Sequence, residues 1–523
     1  MIYRSPFPDV DVPVMSLPAF LFEHTDRWPD KTALIDGPTV RTLTYGQLAA
    51  AVRRTAAGLA ARGFDKGDVF AIFSPNIPEY AVTFLGVATA GGVSTTINPT
   101  YTARELGLQL KDSGATYLAT VPQFLDTARE AAAGTAVEEI FVFGEAEGAT
   151  PFAALMSDGD APPVEINPKE DLVALPYSSG TTGLPKGVML THYNLVANLT
   201  QVAGVEQTTQ SEVMIGILPF YHIYGMVAVM CNALRAGSTV VTMPRFDLDQ
   251  FLSLIQKHGV TTAYLVPPIV LALAKHPAVD QYDLSTLNDI MSGAAPLPES
   301  VATTCASRNK VVVRQAYGLT ETSPATHINP RTRTLKVTSV GTALPSTEYR
   351  IVDLATMHDM PQGELGEIWI RGPQVMKGYL NNPEATRAIV DDEGWLHTGD
   401  IGRADDDAYL YVVDRVKELI KYKGLQVAPA ELEEVVQSHP AVDDVAVIPS
   451  PDEEAGEIPK AFVVIKPGAT LTADELMAYV AEHVSPQKKV RKVEFIDAIP
   501  KVPSGKILRR ELVERERQAA GSQ

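Results

Sequence analysis

The sequence has few cysteines and fewer basic than acidic residues. Its 523 residues include only Cys231 and Cys305, and 44 Lys plus Arg against 63 Asp plus Glu, so the net charge is −19. Without a CxxC pair, neither a disulfide framework nor a zinc site is indicated. Nucleic acids and anionic lipids bind to clustered Lys and Arg, so an acidic surface argues against both partners. An anionic substrate would need a local cluster of cations.

The chain also lacks an apolar segment at its start. MIYRSPFPDVDV carries charges and prolines early, unlike a secretory signal. Residues 213–234 are uncharged and long enough to cross a membrane, but Pro219, His222 and Asn232 interrupt the apolar run. A buried strand followed by a helix is the better interpretation. We therefore expect a soluble, cytoplasmic protein without stable membrane insertion, as a monomer or weak homodimer.

Length and periodicity predict two α/β units of unequal size. A chain of 523 residues is too long for one hydrophobic core. VFAIFS, PEYAVTFLGVATA and GVSTTIN form a strand–helix–strand pattern that continues to LVALPY, and Thr44 with Gln47 forms a capping box before a helix. Near residue 410 the pattern changes to short strands and amphipathic helices. We predict a large N-terminal domain with parallel sheets, residues 1–416, and a small α+β C-terminal domain, residues 417–523.

The string YSSGTTGLPKGV, residues 177–188, follows the predicted strand LVALPY directly. A Walker A loop has Gly before its lysine and Ser or Thr after it, whereas Pro185 precedes Lys186 and Gly187 follows. Glycines let backbone N–H groups approach oxygen anions, and hydroxyls and an ammonium add donors. GTTG alone is common in ordinary turns. The whole string favours a phosphate-binding loop at the end of a strand, where open α/β sheets bind ligands.

Six motifs occur in the order found in adenylate-forming acyl-CoA synthetases. They are SSGTTGLPKGV, YGLTE (317–321), GEIWIRG (366–372), TGD (398–400), DRVKELIKYKG (414–424) and PSGKILRREL (503–512). Within that superfamily the chain most resembles the 4-coumarate:CoA ligases, on the basis of GEIWIRG, PFYHIYG and MSGAAPL. The resemblance covers nearly the whole chain. It implies the adenylate-forming fold, with a mobile C-terminal domain, and two steps: ATP converts an acid to an acyl-adenylate, and coenzyme A then displaces AMP.

The resemblance also implies an ATP site. Its ATP- and AMP-binding residues would be Ser178, Ser179, Gly180, Thr181, Thr182, Lys186, Gln315, Ala316, Tyr317, Gly318, Asp400 and Arg415. The loop would hold the β- and γ-phosphates, the backbone of residues 315–318 would flank adenine with Tyr317 stacked on it, and Asp400 and Arg415 would reach the ribose. Thr320 would bond the α-phosphate, and Glu321 would bind Mg²⁺ through a hard oxygen.

Two lysines of the second domain resemble the family's exchangeable catalytic pair. Lys506 would act in adenylation, and Lys421 would face the site after the domain rotates, with Gln426 nearby. The coenzyme A tunnel would be lined by Lys423 and Gly424, and Lys417 matches the hinge. Taken singly, each lysine is more often an exposed surface charge. The catalytic roles of the two lysines are therefore assigned from the motifs that contain them. The expected mechanism is alternation of the C-terminal domain between two orientations.

An acyl pocket is implied by the same resemblance. Its lining would be His222, Tyr224, Ala228, Met291, Ala294, Ala316, Ala325 and Thr326. These residues are mostly small and offer no partner for a charged amino acid, so a flat aryl acid fits better. The sequence departs from plant ligases, where Ala316 is usually Gly, residues 325 and 326 are larger, and Trp369 is a cysteine. We expect cinnamate and 4-coumarate to be accepted.

Other classes of protein share part of this pattern. A medium- or long-chain fatty acyl-CoA ligase would use the same adenylation residues. A luciferase-like oxidase or a stand-alone adenylation protein that loads a carrier would not need coenzyme A. A non-catalytic nucleotide-binding protein would have no use for Lys421 and Lys506, so retention of both lysines argues against it.

Overall fold

In the computed structural model of the protein, the described part of the first 415 residues contains three β-sheets with helices between the strands. The structure describes residues 1–159, 161–178, 185–415, 418–422, 425–452, 455–484, 486–502 and 505–520. Two of these sheets are large and mostly parallel, and the third is small and antiparallel. Parallel strands require crossover connections, and helices supply them along this part of the chain.

The first large sheet has eight strands, of which six are parallel. In spatial order they are Gly378–Tyr379, Lys186–Thr191, Leu172–Ser178, Val93–Ile97, Val69–Phe73, Tyr117–Thr120, Glu139–Val142 and Thr150–Pro151. Lys186 lies opposite Ser178 in an antiparallel pair of strands. The glycine- and hydroxyl-rich string therefore leaves this sheet at Ser178 and rejoins it at Lys186; residues 179–184 lie outside the described residues.

The second large sheet has nine strands. In spatial order they are Thr342–Ala343, Ala325–Ile328, Val312–Gly318, Asp289–Ser292, Thr262–Leu265, Val213–Gly216, Thr239–Thr242, Thr32–Asp36 and Thr42–Thr44. The six from Val312–Gly318 to Thr32–Asp36 are parallel. Their carboxyl ends share one edge of the sheet, and the YGLTE motif begins at that edge.

The small sheet is antiparallel throughout. Its five strands, in spatial order, are Tyr3–Arg4, Glu348–Val352, Gly366–Arg371, Leu396–Ala404 and Leu410–Arg415. Asp400 lies opposite Arg415 in the last pair of strands. Two residues that are 15 positions apart in sequence are therefore neighbours, because the chain folds back on itself between these strands.

Helices cover the large sheets, and several of them begin at a side-chain cap or at a proline. The α-helices before residue 415 are Leu17–Phe22, Tyr45–Ala61, Pro78–Thr89, Ala103–Ser113, Leu125–Ala132, Phe152–Leu155, His192–Ala203, Asn232–Ala236, Leu248–His258, Pro267–Lys275, Glu299–Asn309 and Pro383–Ile389. Short 3₁₀ helices are Thr25–Arg27, Pro122–Phe124, Pro277–Gln281 and Thr320–Thr322, and Tyr224–Cys231 is a π-helix. One apolar cluster includes Ile72 of the first sheet, Ile215 of the second and Leu85 of helix Pro78–Thr89, so both sheets share a core.

The C-terminal part has its own sheet and core. Its strands are Ile420–Tyr422, Leu425–Val427, Val442–Asp452, Gly456–Ile465 and Lys492–Phe495. Its helices are Pro429–Gln437, Ala473–His483 and Arg509–Ala520, with the 3₁₀ helix Pro486–Lys488. The apolar residues Leu432, Val447 and Leu476 belong to a separate buried cluster. Lys492–Phe495 runs parallel to its neighbour, whereas the other strand pairs are antiparallel.

The predicted α/β class, with parallel sheets followed by a smaller unit, is confirmed. The capping box of Thr44 and Gln47 is present at helix Tyr45–Ala61. The uncharged run 213–234 forms a strand, a π-helix and a short α-helix, and the described residues include no helix long and apolar enough to span a membrane. The boundary between residues 416 and 417 stays a prediction, because both residues lie outside the described ones.

Gly58 provides a test of the packing of helix Tyr45–Ala61. A Cβ atom at this position would lie 1.5 Å from the carbonyl oxygen of Leu155, which is a backbone atom and moves less easily than a side chain. We expect Gly58→Ala to lower the free energy of the first unfolding transition in urea by about 2 kcal/mol or more.

The control for this prediction is Gly107→Ala in helix Ala103–Ser113. There the added Cβ would lie 3.1 Å from the carbonyl oxygen of Ala131, and alanine favours a helix by about 1 kcal/mol over glycine. Gly107→Ala should therefore change stability little. A Gly58→Ala variant as stable as the Gly107→Ala variant would contradict the close packing at Gly58.

Candidate active site

The returning strand of the glycine- and hydroxyl-rich string meets the YGLTE motif at Tyr379. The ammonium of Lys186 lies 4.9 Å from the centre of the Tyr379 ring. The Tyr379 hydroxyl donates a hydrogen bond of 2.8 Å to Oε1 of Glu321, which lies in the 3₁₀ helix Thr320–Thr322. Burial and the Glu321 carboxylate raise the pKa of Tyr379, so the phenol stays protonated and donates. Lys186 and Glu321 are thus brought together around one tyrosine.

A buried carboxylate, that of Asp400, joins Tyr317 and Arg415. Asp400 is 4% exposed, accepts a hydrogen bond of 2.6 Å from the Tyr317 hydroxyl, and lies 2.9 Å from Nε of Arg415. Burial raises the pKa of Asp400, and the cationic Arg415 opposes that rise. Burying an ionised carboxylate is costly unless charged and hydrogen-bonding partners compensate it. Tyr317 and Arg415 are the partners that compensate Asp400.

The strand that ends at Gly318 leaves no space for a side chain there. A Cβ at Gly318 would lie 2.0 Å from the carbonyl oxygen of Pro324. Earlier in the same strand, the Gln315 side chain accepts a hydrogen bond from the Leu297 N–H (3.3 Å) and donates one to the Val337 carbonyl (2.7 Å). The Gln315 side chain therefore holds neighbouring segments together. The predicted contact of this residue with adenine is left to its backbone.

Lys506 reaches this site from the C-terminal part. The residue before it, Gly505, packs so closely on Pro268 that a Cβ would lie 2.6 Å from the proline ring. Burial, and then the positive charge of Arg415, lower the pKa of Lys506, while Asp400 and Glu418 raise it in part. Lys506 is therefore half-buried among the charges that surround Asp400.

The positive charge of Lys506 lies close enough to His222 to lower the pKa of its imidazole ring. The residue is exposed by surface area, but the protein around it desolvates the ring, and this burial together with Lys506 lowers the pKa of His222 to about 4. Nδ1 accepts a hydrogen bond of 3.2 Å from the Tyr224 N–H. The neutral ring therefore carries its proton on Nε2, and this atom can donate to a ligand.

The π-helix Tyr224–Cys231 begins two residues after His222. A wider helical turn of this kind is rare and is often found at functional sites. Gly225 allows the chain to turn here, since a Cβ would lie 2.3 Å from the Pro219 carbonyl oxygen. The Tyr224 hydroxyl donates to the Met291 carbonyl at 3.1 Å. This bond ties the π-helix to the carboxyl end of strand Asp289–Ser292.

The residues predicted to line an acyl pocket differ in exposure. Ala228 and Ala316 are half-buried, Met291 and Ala325 are buried, and Ala294 is exposed with a φ of 70°. Thr326 is fully buried, and its hydroxyl donates to the Tyr317 carbonyl at 3.2 Å. Thr326 therefore supports Tyr317, and its place in the pocket lining stays a prediction.

Several predicted residues cannot be placed in the site. Ser179, Gly180, Thr181, Thr182, Lys417, Lys423 and Gly424 lie outside the described residues. Lys421 and Gln426 lie opposite each other in the strand pair Ile420–Tyr422 and Leu425–Val427, but their side chains are not described. Their roles stay predictions.

Sequence reasoning missed two residues that connect the site, Tyr379 and Arg509. Tyr379 lies in MKGYL, where no local pattern marks it. Arg509 binds Glu418, just after the predicted hinge, and Glu433 of helix Pro429–Gln437. The only available signal was proximity in sequence, because Arg509 follows Lys506 by three residues. Arg509 links the segment that carries Lys506 to the segment after Arg415.

Comparison with known proteins identifies the family. The family described as AMP-binding enzyme matches residues 21–380, and the AMP-binding enzyme C-terminal domain matches residues 431–506. The chain belongs to the AMP-binding enzyme family. It is 45% identical to 4-coumarate–CoA ligase 1 of Petroselinum crispum, over 100% of this chain and 97% of that ligase.

Solved structures of AMP-binding enzymes share the fold. ATP-bound MatB from Rhodopseudomonas palustris has a TM-score of 0.89 and 30% identity, covering 96% of this chain and 99% of MatB. The anthranilate CoA ligase AuaEII in complex with anthranoyl-AMP has a TM-score of 0.89 and 26% identity, covering 98% and 99% of the two chains. The resemblance to adenylate-forming enzymes of the 4-coumarate–CoA ligase type is confirmed.

The electrostatic influence of Lys506 on His222 can be tested by titration. Removing the ammonium with Lys506→Met should raise the pKa of His222 from about 4 part of the way to its ordinary value near 6.5, because burial still lowers it. The measurement is an NMR pH titration of protein with ¹⁵N-labelled histidine, in which His222→Gln identifies the signal.

Lys501→Met is the matched control, because the Lys501 ammonium binds Asp444 at 2.7 Å instead. It should leave the pKa of His222 unchanged. An unchanged pKa of His222 in Lys506→Met would contradict the electrostatic influence of Lys506. Since the pKa is lower in the folded chain than in the unfolded one, His222 favours folding above about pH 6.5, and this contribution is lost as the pH falls towards 4.

Proposed function

We propose that the protein is an AMP-forming ligase that joins a phenylpropenoic acid, cinnamate or 4-coumarate, to coenzyme A. In the first step the acid's carboxylate attacks the α-phosphorus of ATP, which gives an acyl-adenylate and pyrophosphate. In the second step the thiol of coenzyme A attacks the acyl carbon and AMP leaves. The observation that carries the proposal is the meeting of Lys506, His222 and Asp400 at one site, in a chain 45% identical to a 4-coumarate–CoA ligase.

Fixed cations support the first step, which concentrates negative charge. Arg415 and Lys506 lie near Asp400, and Lys186 lies on the ring of Tyr379. Fixed positive charges in a partly desolvated site stabilise a phosphate transition state more than mobile ions in water would. In this proposal Lys506 acts between the acid's carboxylate and the α-phosphate, and Thr320 donates to the α-phosphate.

Asp400 and Arg415 would hold the ribose of ATP. An ionised carboxylate has about four positions at which it can accept a hydrogen bond. The Tyr317 hydroxyl and Arg415 use two of these positions, so Asp400 can also accept from ribose hydroxyls. The same hydroxyl contact fixes the Tyr317 ring, which would stack on adenine.

Glu321 is the residue that would hold Mg²⁺. Tyr379 donates to Oε1 of Glu321, and a carboxylate oxygen is a ligand that Mg²⁺ prefers. Among the described residues there is no group of three or more His, Cys, Asp or Glu placed to bind an ion. Mg²⁺ in nucleotide sites is commonly held by one or two carboxylates with phosphates and water, so this single carboxylate fits. When bound, the ion would neutralise phosphate charge.

The His222 ring would act on the acid. At neutral pH it is uncharged, because its pKa is lowered to about 4, and Nε2 carries the proton. Nε2 would donate to a carboxylate oxygen of the acid without adding a full positive charge. In this proposal Ala228 and Ala316, which are both half-buried, line the pocket for the acid, and their uncharged side chains suit a flat aryl group better than a charged amino acid.

The second step would use another orientation of the C-terminal part. Lys421 and Gln426 are opposite each other in the register of a strand pair, and Lys423 and Gly424 come two and three positions after Lys421 in the sequence. In this proposal, rotation about Lys417 withdraws Lys506 and brings Lys421 and a coenzyme A tunnel to the acyl-adenylate. Such alternation separates the two steps and limits hydrolysis of the intermediate.

The separate roles proposed for Lys506 in adenylation and Lys421 in thioester formation can be tested. Lys506→Ala should reduce adenylation, measured as exchange of pyrophosphate into ATP, by about 100-fold or more. It should keep thioester formation from supplied cinnamoyl-adenylate and coenzyme A. Lys421→Ala is the matched control and should show the reverse. If Lys506→Ala reduced both steps equally, the assigned roles would be wrong.

The identity of the acid is tested by mass spectrometry of the products. The protein is incubated with ATP, Mg²⁺ and coenzyme A, and separately with cinnamate, 4-coumarate, caffeate, ferulate, octanoate or dodecanoate. We expect cinnamoyl-CoA and coumaroyl-CoA with AMP, and Ala316→Gly should increase the rate with ferulate relative to cinnamate because it widens the slot. Octanoyl-CoA or dodecanoyl-CoA alone would indicate a fatty acyl ligase, and acyl-AMP without thioester would indicate a carrier-loading protein.

A further inference from the structure

The strand Leu396–Ala404 bulges at the point where it carries Asp400. Two cross-strand pairs flank the bulge: Trp369 with His397, and Glu367 with Ile401. Between these pairs one strand has three residues, 398–400, and its neighbour has only residue 368. A bulge redirects a side chain out of the regular alternation of a sheet. Here it determines where the Asp400 carboxylate points.

The carboxylate of Glu367 occupies the inside of this bulge. Its Oε1 accepts a hydrogen bond of 2.9 Å from the N–H of Gly399, and its Oε2 accepts one of 2.8 Å from the indole N–H of Trp369. Glu367 is only 8% exposed, so its partners must compensate the loss of water. Gly399 has a φ of 70° and directly precedes Asp400. The Glu367 carboxylate thus fixes the backbone from which Asp400 projects.

Trp369 holds Glu367 in a defined direction. The indole stacks on His397 with 3.6 Å between ring centres and 12° between ring planes. The guanidinium of Arg350 lies 5.5 Å from the centre of the Trp369 ring. Because the ring is buried and packed against these groups, its N–H points one way, and Glu367 must meet it there.

We propose that Glu367 and Trp369 form a positioning pair that aims the Asp400 carboxylate at the ribose hydroxyls of the nucleotide. The pair thereby sets the preference of the enzyme for ATP over deoxyribonucleotides. The inference rests on the proposed function through the ribose contact of Asp400. Neither residue touches the nucleotide, because the effect passes through Gly399 to Asp400.

The geometry gives the pair a specific signature. A displaced Asp400 loses hydrogen bonds to ribose hydroxyls, whereas any effect on adenine through the Tyr317 hydroxyl weakens the binding of ATP and of the deoxynucleotides alike. Loss of such a charge-assisted hydrogen bond corresponds to about a 10-fold loss of affinity or more. Deoxy-ATP already lacks one of these hydroxyls, so its affinity falls less when Asp400 is displaced. A purely structural role for the pair would weaken ATP and deoxy-ATP equally.

The experiment compares ATP with 2′-deoxy-ATP and 3′-deoxy-ATP in the full-length protein. The variants are Trp369→Phe, which keeps a ring but removes the N–H, and Glu367→Gln, which keeps the size but removes the charge. Calorimetry gives the affinity for each nucleotide, and kinetics with cinnamate give kcat and KM. Both variants should lower the preference for ATP by about 10-fold, mainly through a higher KM for ATP, with kcat little changed.

Two further variants separate the possible outcomes. Trp395→Phe makes the same substitution in the same apolar cluster, but Trp395 does not bond to Glu367, so the preference should stay as in wild type. Asp400→Asn should abolish the preference directly. If Asp400→Asn lost the preference while Trp369→Phe and Glu367→Gln both kept it, the positioning role would be wrong.

Binding data also distinguish this inference from the proposed function. If Asp400→Asn itself kept the preference for ATP, the ribose contact in the proposed function would be wrong, and the positioning role would fall with it. If binding preferences changed as expected but no acyl-CoA formed with any acid, the positioning role would stand and the proposed reaction would not. A melting curve for each variant excludes unfolding as the cause, and Glu367→Gln supplies the test if Trp369→Phe does not fold.

Discussion

The buried carboxylate of Asp400 joins three parts of the fold. Tyr317 comes from the end of the second large sheet, Arg415 from the last strand of the small sheet, and Lys506 from the C-terminal part. Burial alone favours the protonated acid, and the two cations and the phenol oppose it. The charge of Asp400 therefore depends on all three parts being in place. Removal of one partner from a buried ion pair costs more than the pair itself contributes, so the arrangement holds the elements together.

Regular elements and the family motifs were predictable because they depend on local sequence. The helix after Thr44 begins at its capping box, and Pro78 begins another helix, as the sequence predicts. The string after LVALPY leaves the first sheet at the end of a strand, at Ser178. Tyr317 and Asp400 belong to distant motifs, and they were expected to meet because the family resemblance assigns both motifs to one ATP site.

Contacts between side chains far apart in sequence were not predictable in the same way. Tyr379 binds Glu321 across 58 residues, and nothing in the sequence around Tyr379 specifies that pair. The sequence marked Trp369 as unusual, but it did not indicate that its N–H binds Glu367 beside the bulge. Thr326 was expected to face the acid, yet its hydroxyl bonds to the Tyr317 carbonyl. Such details depend on register and bulges, which hydrophobic patterns do not specify.

The electrostatics of the site explain how an acidic protein can bind ATP. The chain carries a net charge of −19, but surface charges are screened beyond about 10 Å at moderate salt, so nearby side chains dominate. The loss of water, followed by the positive charges of Arg415 and Arg509, lowers the pKa of Lys506, whereas Glu418 and Asp400 oppose that shift. Phosphate anions would add to those carboxylates and favour Lys506 in the site. In the proposed reaction, departure of pyrophosphate removes that attraction while Arg415 stays, so the balance of charge then favours withdrawal of Lys506 before the second step.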